Sequence, residues 1–411
     1  MTGKLKVTPF LLRLPPMKCF LPLSLLALLL SVLSLNAAPA AAPGLGRTWA
    51  KLDKDKQLII GYFGGSITAG AGASRAEATS WRALTTAWFR QQFPQAHIQE
   101  INAAVGGTGS DFGAYRCQRD LLSRHPDLVF VEFAVNDFGF PDARASAYYE
   151  GVIRQILQSN PAVDIVVTYA VTKEADNYPQ GGTPHTLVSE QKIADYYGLA
   201  SVNPGKALSQ AIQDGHGTWA TLTIDNTHPN DVGYRIYADE MIRFLQSHLQ
   251  DQPAVAPPLP GPLNPHPVDR VSMVDAWTAK APAWKQEPPA GNFPRSIACN
   301  TPGATLDLPF EGTAIGLDWM ITPDGGMIDY SIDGAPARSA SSWDTYALKF
   351  SRPNTFFVAE NLPPGKHVLH LKISDQKAPQ STGQWIRIEA FLIQDGNSAA
   401  SARPGNTTLS P

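Results

Sequence analysis

A serine hydroxyl becomes a nucleophile when a neighbouring base takes its proton and an acid holds that base in orientation. The sequence offers these parts in separate places. Ser66 lies in Gly64-Gly65-Ser66-Ile67-Thr68, directly after the apolar run 57–63, and its flanking glycines allow close approach. His228 follows Asp225 at a spacing of three in Asp225-Asn226-Thr227-His228-Pro229-Asn230, and Asn230 is a natural N-cap for the segment behind it. Acyl transfer also needs donors for the oxygen on which negative charge develops. Two segments supply them: 102–109, with a backbone N–H at Gly107, and 131–137, with the amide of Asn136. Taken singly, each feature has a bland explanation as a strand-to-helix turn, a loop glycine, a capping asparagine or a chance D-x-x-H. The turn at Ser66 is not G-x-S-x-G, because Thr68 replaces the last glycine. It fits neither a dinucleotide loop nor a phosphate loop with Gly-Lys-Ser/Thr. No HExxH or CxxC spacing is present, so neither a metal nor another cofactor is expected, and a metal-dependent deacetylase is disfavoured.

The elements that must position these residues follow from apolar spacing. Short apolar runs at 57–63, 98–103, 128–135 and 164–169 read as strands. Segments 80–93, 145–158, 187–197 and 232–249 carry helical spacing. Strands alternating with helices predict a parallel sheet covered on both faces, and reactive groups of such sheets gather at the strands' C-terminal ends. Residues 251–268 hold seven prolines and read as an extended, stiff linker. From 269 to 395 the pattern changes to period two: Leu306/Leu308/Phe310, Ile315/Leu317/Trp319/Ile321, Ile328/Tyr330/Ile332, Leu369/Leu371/Ile373 and Ile386/Ile388/Ala390/Leu392. Asp333-Gly334 and Pro363-Pro364-Gly365 mark turns between them. That pattern predicts an all-β sandwich or jelly roll.

The order Ser, Gly, Asn, Asp-x-x-His, each after a successive strand or before the last helix, resembles the SGNH hydrolase (GDSL-like esterase) superfamily. The first block is Gly64-Gly65-Ser66, the second centres on Gly107, the third is Ala134-Val135-Asn136-Asp137, and the last runs from Asp225 to His228. The resemblance covers residues 57–249. Gly65 departs from it by standing where the family name has Asp, and Ala134 by standing where the third block often has Gly. The resemblance implies a flavodoxin-like three-layer α/β/α fold. It also implies that Ser66 attacks an ester carbonyl, His228 moves the proton and Asp225 orients the imidazole. The N–H groups of Ser66 and Gly107 and the Asn136 amide would form the oxyanion hole.

Glu132 is a charge inside an apolar strand and shares a face with Ala134 and Asn136; a structural ion pair with Arg116 or Arg119 is expected ahead of a direct role with substrate. His216, in Asp214-Gly215-His216, reads as a solvated loop histidine. The β region carries Trp277, Trp284, Trp319, Trp343 and Trp385. Tryptophan faces suit sugar rings but also fill sandwich cores; Trp319 is expected in the core and Trp343 at the surface. An SGNH domain with an appended β domain resembles secreted bacterial carbohydrate acetylesterases, which implies an acetylated polysaccharide or oligosaccharide as substrate. The alternatives are an arylesterase or lysophospholipase with the same residues, and a polysaccharide-binding protein with an inert α/β domain.

Composition sets the remaining bounds. The chain has 411 residues, 43% hydrophobic and 17% charged, which excludes a chain disordered throughout and a multi-span membrane protein. Its net charge of −3 offers no basic excess for nucleic acid. An apolar stretch at 20–35 follows Lys4, Lys6, Arg13 and Lys18 and precedes Ala38-Pro39-Ala40. This is the layout of a secretory signal peptide over residues 1–42, and a start at Met17 would leave an equally complete leader. Cleavage would remove four basic and no acidic residues and take the charge to −7, for a secreted or periplasmic protein without a stable membrane anchor. Cys117 and Cys299 would remain, paired or buried as thiols. The tail at 396–411 is small and polar and reads as disordered.

Overall fold

In the computed structural model, the described residues are Gly3, 44–289 and 294–396. The leader expected over 1–42 and the tail expected over 396–411 lie outside them, apart from Gly3 and Gly396. Among the described residues no helix is long and apolar enough to cross a membrane.

Five strands form one parallel sheet in the order β2-β1-β3-β4-β5: β1 (Gln57–Gly64), β2 (His97–Asn102), β3 (Leu128–Glu132), β4 (Asp164–Thr168) and β5 (Ala200–Val202). Of the three interior strands, β3 and β4 are buried at every position and β1 at all but two, as a sheet covered on both faces requires. Seven longer helices surround it: α1 (Gly46–Asp55), α2 (Trp81–Gln92), α3 (Ser110–Asp120), α4 (Asp142–Ser159), α5 (His185–Tyr197), α6 (Pro204–Gln213) and α7 (Asp231–Ser247). Two apolar clusters result, one on each face. Val129, Val131, Val152, Ile153 and Ile193 belong to one, and Leu58, Ile60, Phe130, Val166 and Met241 to the other. Alternate residues of the same strands feed opposite clusters.

One boundary differs from the sequence reading. The third strand ends at Glu132 rather than Val135, because Phe133 leaves extended geometry (φ −136°, ψ −3°) and Ala134–Asp137 makes one helical turn. Glu132 and Asn136 therefore do not share a strand face. Helix α3 is absent from the apolar pattern because its buried side includes Asp111 and Arg116 among Phe112, Ala114 and Tyr115.

The named strands of the C-terminal region pair antiparallel. One sheet runs β13 (Arg352–Ala359), β10 (Ala314–Ile321), β15 (Ile386–Gln394), β8 (Ser296–Cys299), β7 (Lys285–Glu287), with β6 (Val271–Asp275) also on β15. The other runs β12 (Arg338–Ser341), β11 (Met327–Ile332), β14 (Gly365–Ile373), β9 (Thr305–Gly312). Their inward residues close a single core, in which Trp319 stacks on Phe356. Trp343, expected at the surface, packs partly against this core. Asp333 and Gly334 both take positive φ (54° and 74°), the geometry of the turn their sequence predicts. Cys117 and Cys299 are both buried free thiols.

The proline-rich stretch 251–268 lies along α4 rather than standing free. The Glu150 carboxylate accepts the backbone N–H of Leu263 (2.5 Å) and Asn264 (2.7 Å), and Arg154 donates to the Pro260 carbonyl. Gly151 leaves no room for a Cβ, which would fall 2.2 Å from the Val268 carbonyl oxygen.

Candidate active site

The C-terminal ends of β1, β2 and β3 meet at one edge of the parallel sheet. The one-turn helix Ser66–Ala69 follows β1 directly, so strand geometry delivers Ser66 to that edge. The loop before α7 supplies the other two residues, Asp225 and His228. Asn230 caps α7, its side chain accepting the N–H of Val232 and Gly233, which fixes the backbone immediately after His228.

The two loops bring Ser66, Asp225 and His228 together. Ser66 Oγ lies 2.8 Å from His228 Nε2, and His228 Nδ1 lies 2.7 Å from Asp225 Oδ2. The other oxygen of Asp225 accepts the backbone N–H of Thr227 (3.0 Å) and His228 (2.8 Å). Partial burial pushes this carboxyl up, but the amide and ring of His228 and the Thr227 amide together hold it below the usual aspartate value. Asn226, between them, takes a left-handed conformation (φ 64°), one that asparagine tolerates. A hydroxyl, an imidazole and an ionised carboxylate in one hydrogen-bonded line can pass a proton from oxygen to nitrogen as the oxygen attacks a carbonyl.

The segments carrying Gly107 and Asn136 border Ser66. A Cβ on Gly106 would lie 3.7 Å from the Ser66 Cβ, while Gly107 faces open space at φ +76°, where glycine is favoured. Asn136 packs on Gly65: a Cβ there would fall 2.0 Å from Asn136 Oδ1 and 3.3 Å from the Thr108 carbonyl oxygen. The departure at Gly65 thus has a local physical reason, since the space of its side chain holds the Asn136 amide.

Several residues around the site escaped the sequence reading or were misplaced by it. Arg116 does not pair with Glu132. Its guanidinium donates to the carbonyls of Gly64 (2.9 Å) and Ala103 and reaches Asp120, which joins the ends of β1 and β2. Burial lowers its pKa to about 10. Arg119 pairs with Asp120 instead. Glu132 takes the hydroxyl of Thr68 (2.9 Å), and burial pushes its carboxyl up to about 7 against the pull of that hydroxyl and the amides of Gly65 and Thr68. The expectation of an ion pair failed because the donors are uncharged, and uncharged donors leave no signature in charge spacing. Asp137 accepts the Ser110 N–H (2.8 Å), and burial pushes it up to about 8. Asp231 accepts from Ser74 and Thr79 and so ties the loop after Ser66 to the start of α7. His216 stays in an exposed loop. Among the described residues no group of three or more His, Cys, Asp and Glu is placed to hold a metal ion.

Residues 62–236 match the profile of the GDSL-like lipase/acylhydrolase family. A two-domain esterase (CEX) active on acetylated mannans superposes with a TM-score of 0.76 at 21% identity, covering 88% of this chain and 98% of that one. Its co-crystal with mannopentaose gives 0.75 at the same identity and coverage. This likeness shows the fold across both the parallel sheet and the β region. Heparan sulfate glucosamine 3-O-sulfotransferase 6 of Mus musculus is 26% identical over 208 residues, which is 48% of this chain. This chain spans about half (53%) of that relative's length.

Proposed function

We propose that this protein, whose residues 62–236 match the GDSL-like lipase/acylhydrolase family, is a serine-dependent carboxylic ester hydrolase that removes O-acetyl groups from a polysaccharide. The observation that carries the reading is the continuous line from Ser66 Oγ through the His228 ring to Asp225. Ser66 Oγ attacks the acetyl carbonyl while His228 Nε2 takes its proton. Asp225 holds the ring through Nδ1 and stabilises the imidazolium. The N–H groups of Ser66 and Gly107 and the Asn136 amide receive the oxyanion. As the tetrahedral intermediate collapses, His228 returns the proton to the sugar oxygen, which leaves as the alcohol. Water, deprotonated by the same ring, then attacks the acetyl-serine, and acetate departs with Ser66 restored.

The polysaccharide reading draws its support from the structural neighbour, which acts on acetylated mannans and retains the same two-part fold. Under this proposal residues 43–250 are the catalytic domain, 251–268 the connecting strap and 269–395 an accessory β domain. The preceding leader sends the protein out of the cytoplasm.

Acetate release from acetylated mannan and acetylated xylan tests the proposal. It should occur with the parent protein and be abolished in Ser66→Ala. Retained release in that variant would remove Ser66 as nucleophile. A p-nitrophenyl ester series separates the arylesterase and lysophospholipase alternatives, since activity rising beyond butyrate would count against a deacetylase.

A further inference from the structure

The geometry points to Glu132 as a positioning residue for the nucleophile, holding the Ser66 turn from behind through the hydroxyl of Thr68. This inference rests on the reading of Ser66 as nucleophile. The turn is a single one, Ser66–Ala69, too short to fix its own position. Its place therefore depends on what grips it. One grip is Tyr234 of α7, whose hydroxyl donates to the carbonyls of Ile67 (3.1 Å) and Ala71 (2.6 Å). The other is Glu132 at the end of β3, whose Oε2 accepts from Thr68 Oγ1 at 2.9 Å. The amides of Gly65 and Thr68, on either side of Ser66, also favour the ionised form of this carboxylate.

The surroundings argue against a role in packing alone. Glu132 is 1% exposed and has no ion-pair partner among the described residues, so it cannot touch substrate, and an apolar residue would fill the same space without desolvating a charge. Burial makes its ionisation harder. Glu132 in turn adds to the upward push on Asp137, on Glu190 of α5 and on the buried Tyr149, Tyr234 and Tyr237. The contact is also sterically closed. A Cβ on Gly64 would fall 2.5 Å from Thr68 Oγ1 and 2.4 Å from the Glu132 carbonyl oxygen. A carboxylate retained at an unfavourable place, with its donors confined to the turn of one serine, fits a residue that sets where that serine points.

The test combines Thr68→Val, Thr68→Ser, Glu132→Leu and the Thr68→Val/Glu132→Leu double variant, with Ser66→Ala as reference. The readouts are kcat and KM on p-nitrophenyl acetate, the rate of serine labelling by diethyl p-nitrophenyl phosphate, and thermal melting. Thr68→Val and Glu132→Leu, which remove the donor and the acceptor in turn, should each lower kcat by about 10- to 100-fold with KM within about threefold, because a small misplacement of a reacting atom carries that penalty. Labelling should slow in proportion. The double variant should be no worse than the worse single one, since both break one contact. Thr68→Ser, which restores the hydroxyl, should recover most of the rate lost in Thr68→Val. Lowered melting with kcat unchanged, or fully multiplicative losses, would overturn the proposal. If Glu132→Leu does not fold, the Thr68→Val and Thr68→Ser pair decides alone. Activity retained in Ser66→Ala would instead overturn the assignment of the nucleophile.

Discussion

At Asn136 the proposed role can be separated from the fold. Its amide sits against Gly65, half-buried, beside the serine but not in the sheet. Asn136→Ala should lower kcat by roughly 10²–10³ with a modest change in KM, the usual effect of losing one oxyanion donor. Steady-state kinetics on p-nitrophenyl acetate would show it, and unchanged turnover would take Asn136 out of the hole. Gly65→Ala probes the same contact from the other side. Gly65 is extended (φ −93°, ψ −150°), so alanine meets no backbone strain, but its methyl would push directly on Asn136 Oδ1. Turnover should fall about tenfold or more, with a stability loss of about 1–3 kcal/mol from overpacking. Ser66, Asp225, His228, Gly107 and Asn136 were legible because reactive side chains and glycines at strand ends are visible as residue types in a sequence. Thr68 was not, because a buried threonine looks like any β-branched core residue. Glu132 was noticed as an anomaly but given the wrong partner, since one threonine hydroxyl takes its Oε2 in place of a cation and its buried Oε1 has no hydrogen-bond partner among the described residues.

At the scale of elements, apolar periodicity located β1 to β4 and four of the longer helices within a few residues. It failed where burial is polar or pairing is at an edge. Helix α3 buries Asp111 and Arg116, and β12, on the edge of its sheet, is only partly buried, so neither carries the expected alternation. The break in the third strand at Phe133 was equally hidden, because Ala134 and Val135 extend the apolar run while the backbone has already turned. Arg116 shows what such an element does. It spans from α3 to the last carbonyls of β1 and β2, stacks over the Phe63 ring at 4.5 Å, and so fixes the spacing between the Ser66 turn and the Gly107 loop. Arg116→Met keeps the length and apolar stem but takes the guanidinium from the Ala103 carbonyl and leaves the Gly64 carbonyl with the Val105 N–H alone. Urea unfolding should register a loss of about 1–3 kcal/mol, the range for buried groups left unsatisfied. Stability equal to the parent would mean that the strand ends hold their spacing without it.

The α/β and β regions act as one body. Phe357 of β13 packs between Tyr115 and Tyr148, Glu360 accepts from Arg144 (2.7 Å) and the Tyr148 hydroxyl (2.9 Å), and Leu392 of β15 enters the apolar cluster of the parallel sheet. Ionisable groups buried throughout this body give it a common dependence on pH. Burial pushes Glu132 up to about 7, Asp137 up to about 8 and Glu389 up to about 7, while Glu190 and Asp318 lie well above the usual carboxylate range. Each therefore holds its proton in the folded chain at pH values where the unfolded chain has released it. The folded state binds more protons between about pH 4.5 and 8, so raising the pH through that window removes stability. His367 acts in the same direction: its bonds to Asp333 and the Pro363 carbonyl raise its pKa, so their contribution fades as pH rises through that raised value. The lowered carboxyls, Asp225, Asp324 and Asp344, lose their contribution only on the acid side, below the usual aspartate value. Stability should therefore peak near pH 5. Calorimetric melting should show Tm falling by several degrees from pH 5 to pH 8, and Asp137→Asn should flatten that decline. A Tm that is level or rises across the interval would show that these carboxyls are ionised in the folded protein and find their compensation elsewhere.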